Sequence, residues 1–262
     1  MSVNDLTPSA AACAQTRSDA KPVVFCDFDG PIVDVSERYY QTYRKGLRAL
    51  AALYRQHTGT RLMLSPLSKA QFWQMKQSCV ADLEIAMRSG IPADWFKPYM
   101  QQVEKLVNHP RLLQWDRLQP SAEAALTHLK QANVRLVLVT LRQPCQVDAF
   151  LRTQGLNHLV DAGYGASTAA AAHQNRVSQK RELLAEAIAQ QQAQGHCTKK
   201  SWMVGDTEAD VLAAKDMGLP SAALSCGVRS VDYLKALEPT EIYGELLTAA
   251  QAVVETTGQC AA

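Results

Sequence analysis

Residues 23–30 read Val-Val-Phe-Cys-Asp-Phe-Asp-Gly, an apolar run that stops abruptly at two aspartates and a glycine. The β-branched and aromatic content of residues 23–26 predicts a buried strand, so Asp27 stands where that strand ends. Ligands bind at this end of the strands in open α/β sheets. Asp27 and Asp29 flank Phe28, and strand-like alternation points both carboxylates the same way. Two like charges held together favour a divalent cation or a shared proton, whereas an isolated pair of this kind is more often a solvated loop.

The composition is that of an ordinary soluble globular protein, with 262 residues, 47% hydrophobic and 20% charged. Its 27 basic and 25 acidic residues give a net charge of +2 without a long like-charge run, so we predict no nucleic-acid and no membrane partner.

Seven scattered cysteines without a Cys-x-x-Cys pair indicate free thiols in a reducing compartment. Without a signal peptide or a spanning segment, we expect a cytoplasmic protein. The sequence carries no signal for an oligomeric state.

The pattern of apolar residues divides the chain into a helical block and an alternating part. The block contains no convincing strand and follows the first strand directly, which is typical of a small inserted domain. The alternating part predicts a Rossmann-like parallel sheet flanked by helices, an α/β fold. The predicted division is a disordered tail at 1–20, an α/β core at 21–35 and 115–262, and a helical cap at 36–114.

Helix caps, proline and glycine positions and apolar periodicity give the individual elements. We predict helices at 36–54, from Ser65-Pro66 onward, and at 121–133, 144–154, 178–194, 208–217 and 241–255, and strands at 134–139, 202–204 and 220–224, with a weak extended piece at 158–160.

Polar residues follow three of these strands. Asp27 and Asp29 follow the first, Thr140 the second and Asp206 the third, and parallel strands bring these ends to one edge of the sheet. Asp206 and Asp210 stand four apart at a helix start, which can place both on one face. This many carboxylates in one cleft require a cation, and oxygen ligands together with phosphate favour Mg²⁺.

These residues resemble the four ordered motifs of the haloacid dehalogenase-like hydrolase superfamily. The matching residues are Asp27-Phe28-Asp29-Gly30, Thr140, Lys180 and Gly205-Asp206-Thr207-x-x-Asp210. The helical block stands where phosphoglycolate phosphatase-like and β-phosphoglucomutase-like members carry a mobile cap. The presence of Asp29 favours phosphate ester chemistry over carbon-halogen cleavage, because the dehalogenase branch lacks that second aspartate.

The resemblance implies a role for each matching residue. Asp27 would be the nucleophile that forms an aspartyl-phosphate, and Asp29 the general acid and base. Thr140 and Lys180 would bind the transferring phosphoryl group. Asp206 would join Asp27 and the backbone carbonyl of Asp29 around Mg²⁺. Asp210 would be a further ligand or would orient Lys180.

Two positions remain open at this stage. Lys180 competes with Arg176, Arg181, Lys199 and Lys200, and is preferred because Ser178 would cap a helix that starts at the sheet edge. Arg142 either meets the substrate or is solvated. The block offers Tyr39, Tyr43, Arg44, Trp73 and Lys76 as candidate contacts to the substrate.

The resulting hypothesis is a Mg²⁺-dependent phosphatase that acts on a small phosphorylated metabolite. The alternatives are a phosphomutase, which would return the phosphoryl group to a sugar, and a non-catalytic binding protein that retains the fold.

Overall fold

The structure of the protein is a computed structural model that describes residues 20–168 and 171–257. The predicted disordered tail, apart from Ala20, lies outside the described residues. In the described part of the chain, no helix is both long enough and apolar enough to cross a membrane. Its five cysteines, Cys26, Cys79, Cys145, Cys197 and Cys226, are free thiols.

Eight strands and twelve helices make up the described chain. The strands are β1 (Pro22–Cys26), β2 (Val33–Asp34), β3 (Arg117–Leu118), β4 (Arg135–Thr140), β5 (Ala162–Gly165), β6 (Cys197–Gly205), β7 (Ser221–Leu224) and β8 (Glu241–Tyr243). The helices are α1 (Ser36–Thr58), α2 (Lys69–Gln77), α3 (Asp82–Arg88), α4 (Phe96–Val107), α5 (Pro110–Leu113), α6 (Ala122–Gln131), α7 (Pro144–Gln154), α8 (Ala171–Gln174), α9 (Val177–Ala193), α10 (Glu208–Asp216), α11 (Val231–Ala236) and α12 (Leu246–Thr257).

Six strands form one parallel sheet in the order β5-β4-β1-β6-β7-β8. The strand β1 lies in its interior, and alternate β1 side chains enter opposite cores, as the pleat requires. Val24 and Cys26 pack on one face with residues of α6 and α12, and Val23 and Phe25 pack on the other with residues of α9 and α10. The predicted α/β fold with a flanked parallel sheet is confirmed.

Residues 36–114 are all described and contain helices α1 to α5 without a strand. They have an apolar core of their own, in which Tyr43 and Leu47 of α1 meet Phe72 of α2 and Tyr99 of α4. The chain enters this helical segment after β2 and leaves it before β3, and these two strands pair antiparallel. Entry and exit therefore lie side by side.

Three predicted elements differ from the structure. No helix starts at Ser65; α2 begins at Lys69, where the Ser68 hydroxyl accepts a hydrogen bond from the backbone N–H of Gln71 at 3.3 Å. The extended piece at 158–160 is a 3-10 turn, and the strand is β5, a few residues later. The predicted helix 241–255 begins as the strand β8, because its first residues pair with β7.

Candidate active site

Three buried carboxylates meet at the carboxyl ends of β1 and β6. Asp27, Asp206 and Asp210 each place a carboxylate oxygen within 4.8 Å of the other two. The backbone N–H of Asp27 donates to the Val204 carbonyl at 2.8 Å, which ties the end of β1 to β6. The parallel sheet therefore brings together acids that are 179 residues apart in sequence.

Backbone amides hold two of these acids in place. One oxygen of Asp210 accepts hydrogen bonds from the backbone N–H groups of Asp206 and Thr207, at 3.2 and 3.1 Å, and from the Thr207 hydroxyl at 2.8 Å. One oxygen of Asp206 accepts from the backbone N–H of Val228 at 2.5 Å. Asp206 thus occupies a fixed position between α10 and the loop that follows β7.

Two glycines make room for Asp206. A Cβ atom at Gly30 would lie 2.2 Å from the Asp206 carboxylate, and one at Gly227 would lie 2.1 Å from it. Gly30 also has a φ of 100°, which L side chains rarely adopt. Any larger residue at either position would displace the carboxylate.

Lys180 lies beneath the acids and is almost fully buried. Its Nζ is 2.9 Å from Asp27 Oδ1 and 2.8 Å from Asp210 Oδ1, and it donates to the Val139 carbonyl at 2.9 Å. Burial opposes its charge, but the two carboxylates outweigh burial and hold the pKa of Lys180 above its ordinary value. Lys180 is not a solvated surface lysine. The cap residue of its helix is Arg176, and not Ser178 as predicted.

Burial raises the pKa of Asp27 to about 7, although Lys180 opposes the rise. Burial, with Asp210 and Asp27 nearby, also raises the pKa of Asp206 well above its ordinary value. Oδ1 of Asp206 is buried and makes no hydrogen bond within the described chain, whereas Oδ1 of Asp210 faces the Lys180 ammonium at 2.8 Å. An all-carboxylate donor set with an unsatisfied oxygen on Asp206 fits a hard divalent cation such as Mg²⁺.

The side chain of Asp29 faces a different group of residues. Its Oδ1 lies 2.9 Å from Arg142 and its Oδ2 lies 2.5 Å from Arg38, so this carboxylate does not join the three-acid group. A contact of Asp29 with the metal through its backbone carbonyl stays a prediction. Burial alone would raise the pKa of Asp29, but the two arginines outweigh burial and hold it below its ordinary value. Asp29 is therefore ionised in this arrangement.

Both arginines also reach a second aspartate. Asp116 lies 3.0 Å from Arg38 and 2.9 Å from Arg142, and all three side chains are buried. Arg142 is thus not solvated. Sequence reasoning missed Arg38 and Asp116. One usable signal is that Arg38 falls four residues before Thr42, on the buried face of α1.

A cavity of about 70 Å³ opens next to the acids, between the sheet edge and the helical segment. Asp27, Asp29, Thr140 and Arg142 line it from the sheet edge. The helical segment contributes Tyr39 and Lys76, and the other described lining residues are Leu141, Ala172, His173, Asn175, Thr207, Val228 and Arg229. Burial lowers the pKa of His173, which favours its neutral form.

The remaining predicted contacts of the helical segment lie elsewhere. Tyr43 lines a neighbouring cavity of about 40 Å³ inside that segment. Arg44 donates to the Tyr40 hydroxyl at 3.1 Å, and Trp73 packs edge-on against Tyr39. Arg44 and Trp73 do not line either cavity among the described residues.

The loop of residues 226–230 joins the helical segment to the sheet. Arg229 donates to the Lys76 carbonyl at 3.1 Å, and the backbone N–H of Ser230 donates to the Gln77 carbonyl at 2.9 Å. Arg229 also makes two hydrogen bonds of 2.7 Å to Glu208 at the start of α10. The same loop therefore contacts both Asp206 and the end of α2.

This chain belongs to the haloacid dehalogenase-like hydrolase family, whose profile matches residues 21–218. It is 27% identical over 239 residues to "Probable phosphatase IndB" of Dickeya dadantii (strain 3937), which covers 90% of this chain and 96% of that protein.

Two solved structures share the fold. One is a predicted phosphatase from Clostridium acetobutylicum, with a TM-score of 0.64, 17% identity and coverage of 90% of this chain and 99% of that one. The other is a predicted phosphoglycolate phosphatase from Haemophilus somnus 129PT, with a TM-score of 0.60, 18% identity and the same coverage of the two chains.

Proposed function

We propose that this hydrolase is a metal-dependent phosphatase that releases phosphate from a small phosphorylated metabolite. The observation that carries the proposal is the group of Asp27, Asp206 and Asp210 around Lys180, with Asp27 lining the adjacent cavity. The relative and the fold neighbours named as phosphatases support the same reaction class.

In this proposal Asp27 attacks phosphorus, and the bond from phosphorus to the leaving oxygen breaks. Asp29 protonates the leaving oxygen and later takes a proton from the water that hydrolyses the aspartyl-phosphate. The ionised Asp29 of the structure is the form that the second step needs. An arriving phosphate dianion places negative charge beside Asp29, which favours the protonated form that the first step needs.

Asp27, Asp206 and Asp210 would hold Mg²⁺, with the backbone carbonyl of Asp29 as a further oxygen ligand. The bound ion would neutralise the phosphoryl oxygens. Thr140 would offer its hydroxyl to the phosphoryl group from the cavity wall. Lys180 lies below the cavity lining and would act mainly by neutralising Asp27 and Asp210.

We further propose that residues 36–114 act as a cap over a core formed by 21–35 and 115–262. Tyr39 and Lys76 of the cap line the cavity, so they are positioned to meet the leaving group, and Arg142 is positioned to meet the phosphoryl group. The five free cysteines of the described chain support action in a reducing compartment such as the cytoplasm.

A panel of phosphomonoesters, assayed for phosphate release with and without Mg²⁺, tests this function. We expect Mg²⁺-dependent release that is abolished in Asp27→Asn, a near-isosteric change. Release from no ester, or full activity in the variant, would refute the proposal. Isomerisation of a hexose phosphate without phosphate release would identify a phosphomutase instead.

A further inference from the structure

Three buried side chains and the partly buried Asp29 form a closed ring of ion pairs beside the cavity. Asp29 and Asp116 alternate with Arg38 and Arg142, and the four N to O distances are 2.5, 3.0, 2.9 and 2.9 Å. Each arginine bridges both aspartates, and each carboxylate oxygen faces one arginine. Two positive and two negative charges balance, which is the condition under which buried ion pairs are tolerated.

Further contacts fix the two arginines. Arg38 donates to the Asn108 side chain at 3.2 Å, and its guanidinium lies 5.4 Å from the ring centre of Tyr39. The guanidinium of Arg142 lies 5.3 Å from the ring centre of Phe28, which is itself buried. Such contacts leave the planar guanidinium groups one orientation. Because both oxygens of Asp29 are engaged, the plane of its carboxylate is set by the two arginines.

Two members of the ring lie where the chain enters and leaves the helical segment. Arg38 is the third residue of α1, shortly after β2, and Asp116 directly precedes β3. Arg142 follows β4 and lines the cavity together with Asp29. Asp116 does not line that cavity in the described chain and contacts no acid of the three-acid group.

We propose that Arg38 and Asp116 are positioning residues for Asp29, acting with Arg142 to hold its carboxylate toward the leaving oxygen of a bound phosphate ester. Arg38 acts by direct contact. Asp116 acts through both arginines, since it fixes the second side of each guanidinium. The inference rests on the proposed function, in which Asp29 carries the proton to the leaving group.

The test uses Asp116→Asn, which keeps the shape and removes the charge, together with Arg38→Lys and Arg38→Met. Leaving-group release is followed in the first turnover with a series of aryl phosphates and one alkyl phosphate. A misplaced proton donor slows the hydrolysis of esters with poor leaving groups and has little effect on esters with good leaving groups. We expect Asp116→Asn to slow the alkyl ester about tenfold or more and p-nitrophenyl phosphate by less than about threefold, with a smaller change in KM.

Combination with Asp29→Asn separates positioning from a general structural effect. If Asp116 acts through Asp29, adding Asp116→Asn to Asp29→Asn produces no further loss. Arg38→Lys keeps the charge and should recover part of the rate that Arg38→Met loses. The matched control is Asp161→Asn, which removes a partly buried aspartate paired with Arg135 and Lys130 at the opposite end of β4. It should leave the dependence on the leaving group unchanged.

Two outcomes would overturn the inference. Where the wild-type protein is active, the first is that Asp116→Asn slows hydrolysis of all esters equally and multiplies the rate loss of Asp29→Asn in the double variant. That result would show that Asp116 serves only the fold, and it would overturn the inference alone. A wild-type protein that hydrolyses no ester would overturn the proposed function and this inference together.

Discussion

Lys180 brings one positive charge to three buried acids. The Lys180 ammonium contacts three groups of the protein, which are the carboxylates of Asp27 and Asp210 and the Val139 carbonyl. Three donors with three acceptors satisfy an ammonium group completely. Lys180 therefore accounts for the stability of the acid group before any ligand binds.

Replacing Lys180 with Met should destabilise the metal-free protein by about 3 kcal/mol or more, because two buried carboxylates lose their cation. The same change should raise the pKa of Asp27 above its value of about 7. Urea denaturation at pH 8 with a chelator measures the loss. Lys130→Met is the control, since that lysine is exposed and its ion pair with Asp161 is worth about 1 kcal/mol or less. Equal losses in the two variants would contradict the assignment.

Asp116 gives a prediction of how stability changes with pH. Burial raises the pKa of Asp116 to about 6, against the pull of Arg38. A raised pKa in the folded state means that folded protein binds the proton more tightly, so this contribution is complete below about pH 4 and is lost as the pH rises through about 6. Asn does not titrate. The stability of Asp116→Asn relative to wild type should therefore increase from pH 4 to pH 7.

Urea denaturation curves at four pH values in that window, with a chelator present, provide the comparison. The slope of the difference against pH is the informative quantity, because a change in packing at the Asn side chain shifts the stability of the variant equally at every pH. A difference that stays constant or falls would contradict the raised pKa.

How much of the site could be predicted from the sequence depends on where each residue stands relative to the strands and helices. Asp27, Thr140, Asp206 and Asp210 stand at strand ends or at the start of a helix, and topology alone brings them together. Arg38 and Asp116 do not follow a strand of the parallel sheet, and their ion pairs depend on how the helical segment folds back. Side-chain pairing across the entry and exit of an insert has no local sequence pattern.

Among the elements, the two edge strands of the sheet, β5 and β8, were not predicted where the structure places them. The strand β5 reads Ala-Gly-Tyr-Gly, with two glycines that weaken strand propensity, and β8 has only three residues before a helical pattern. Both become strands because a neighbouring strand supplies hydrogen bonds. The interior strands β1 and β4 each contain a continuous apolar run, 22–26 and 136–139, and could be predicted from composition.

The 226–230 loop supports a prediction for the helix α2. Arg229→Gln removes the bidentate pair with Glu208 and the hydrogen bond to the Lys76 carbonyl. The end of α2 should then open more often, and its amide protons should exchange faster. Hydrogen exchange read by mass spectrometry measures this in peptides that cover 69–79.

Lys215→Gln is the control for that experiment, since Lys215 is exposed, lies in the last turn of α10 and pairs with Glu238. Unchanged exchange in α2 of the Arg229 variant would show that the Ser230 to Gln77 hydrogen bond suffices.

At the scale of the whole molecule, a metal ion held by the three acids would make the stability of the protein depend on metal. Adding Mg²⁺ to metal-free protein should raise its melting temperature, because a ligand that binds only the folded state stabilises it, by about 2.7 kcal/mol at a hundredfold excess over Kd. The shift should be larger at pH 8 than at pH 5.5, since metal binding needs ionised carboxylates and burial raises the pKa values of Asp27 and Asp206.

Differential scanning fluorimetry at the two pH values measures the shift. Asp206→Asn should remove most of it. Asp161→Asn, whose carboxylate lies at the other end of β4, should retain it. The same shift in Asp206→Asn as in wild type would contradict the metal site.

The antiparallel pair β2 and β3 has a mechanical consequence for the whole molecule. If the helical segment rotates relative to the sheet, the rotation would centre on this strand pair, and the 23 residues of α1 extend roughly 34 Å from that point. A rotation of about 10° would carry the far end of α1 through roughly 6 Å, yet would move Arg38, only about 6 Å from the pivot, by roughly 1 Å. In such a rotation the contacts of Arg229 and Ser230 with the end of α2 would be displaced more than the contact of Arg38 with Asp29, because Arg38 lies close to the strand pair.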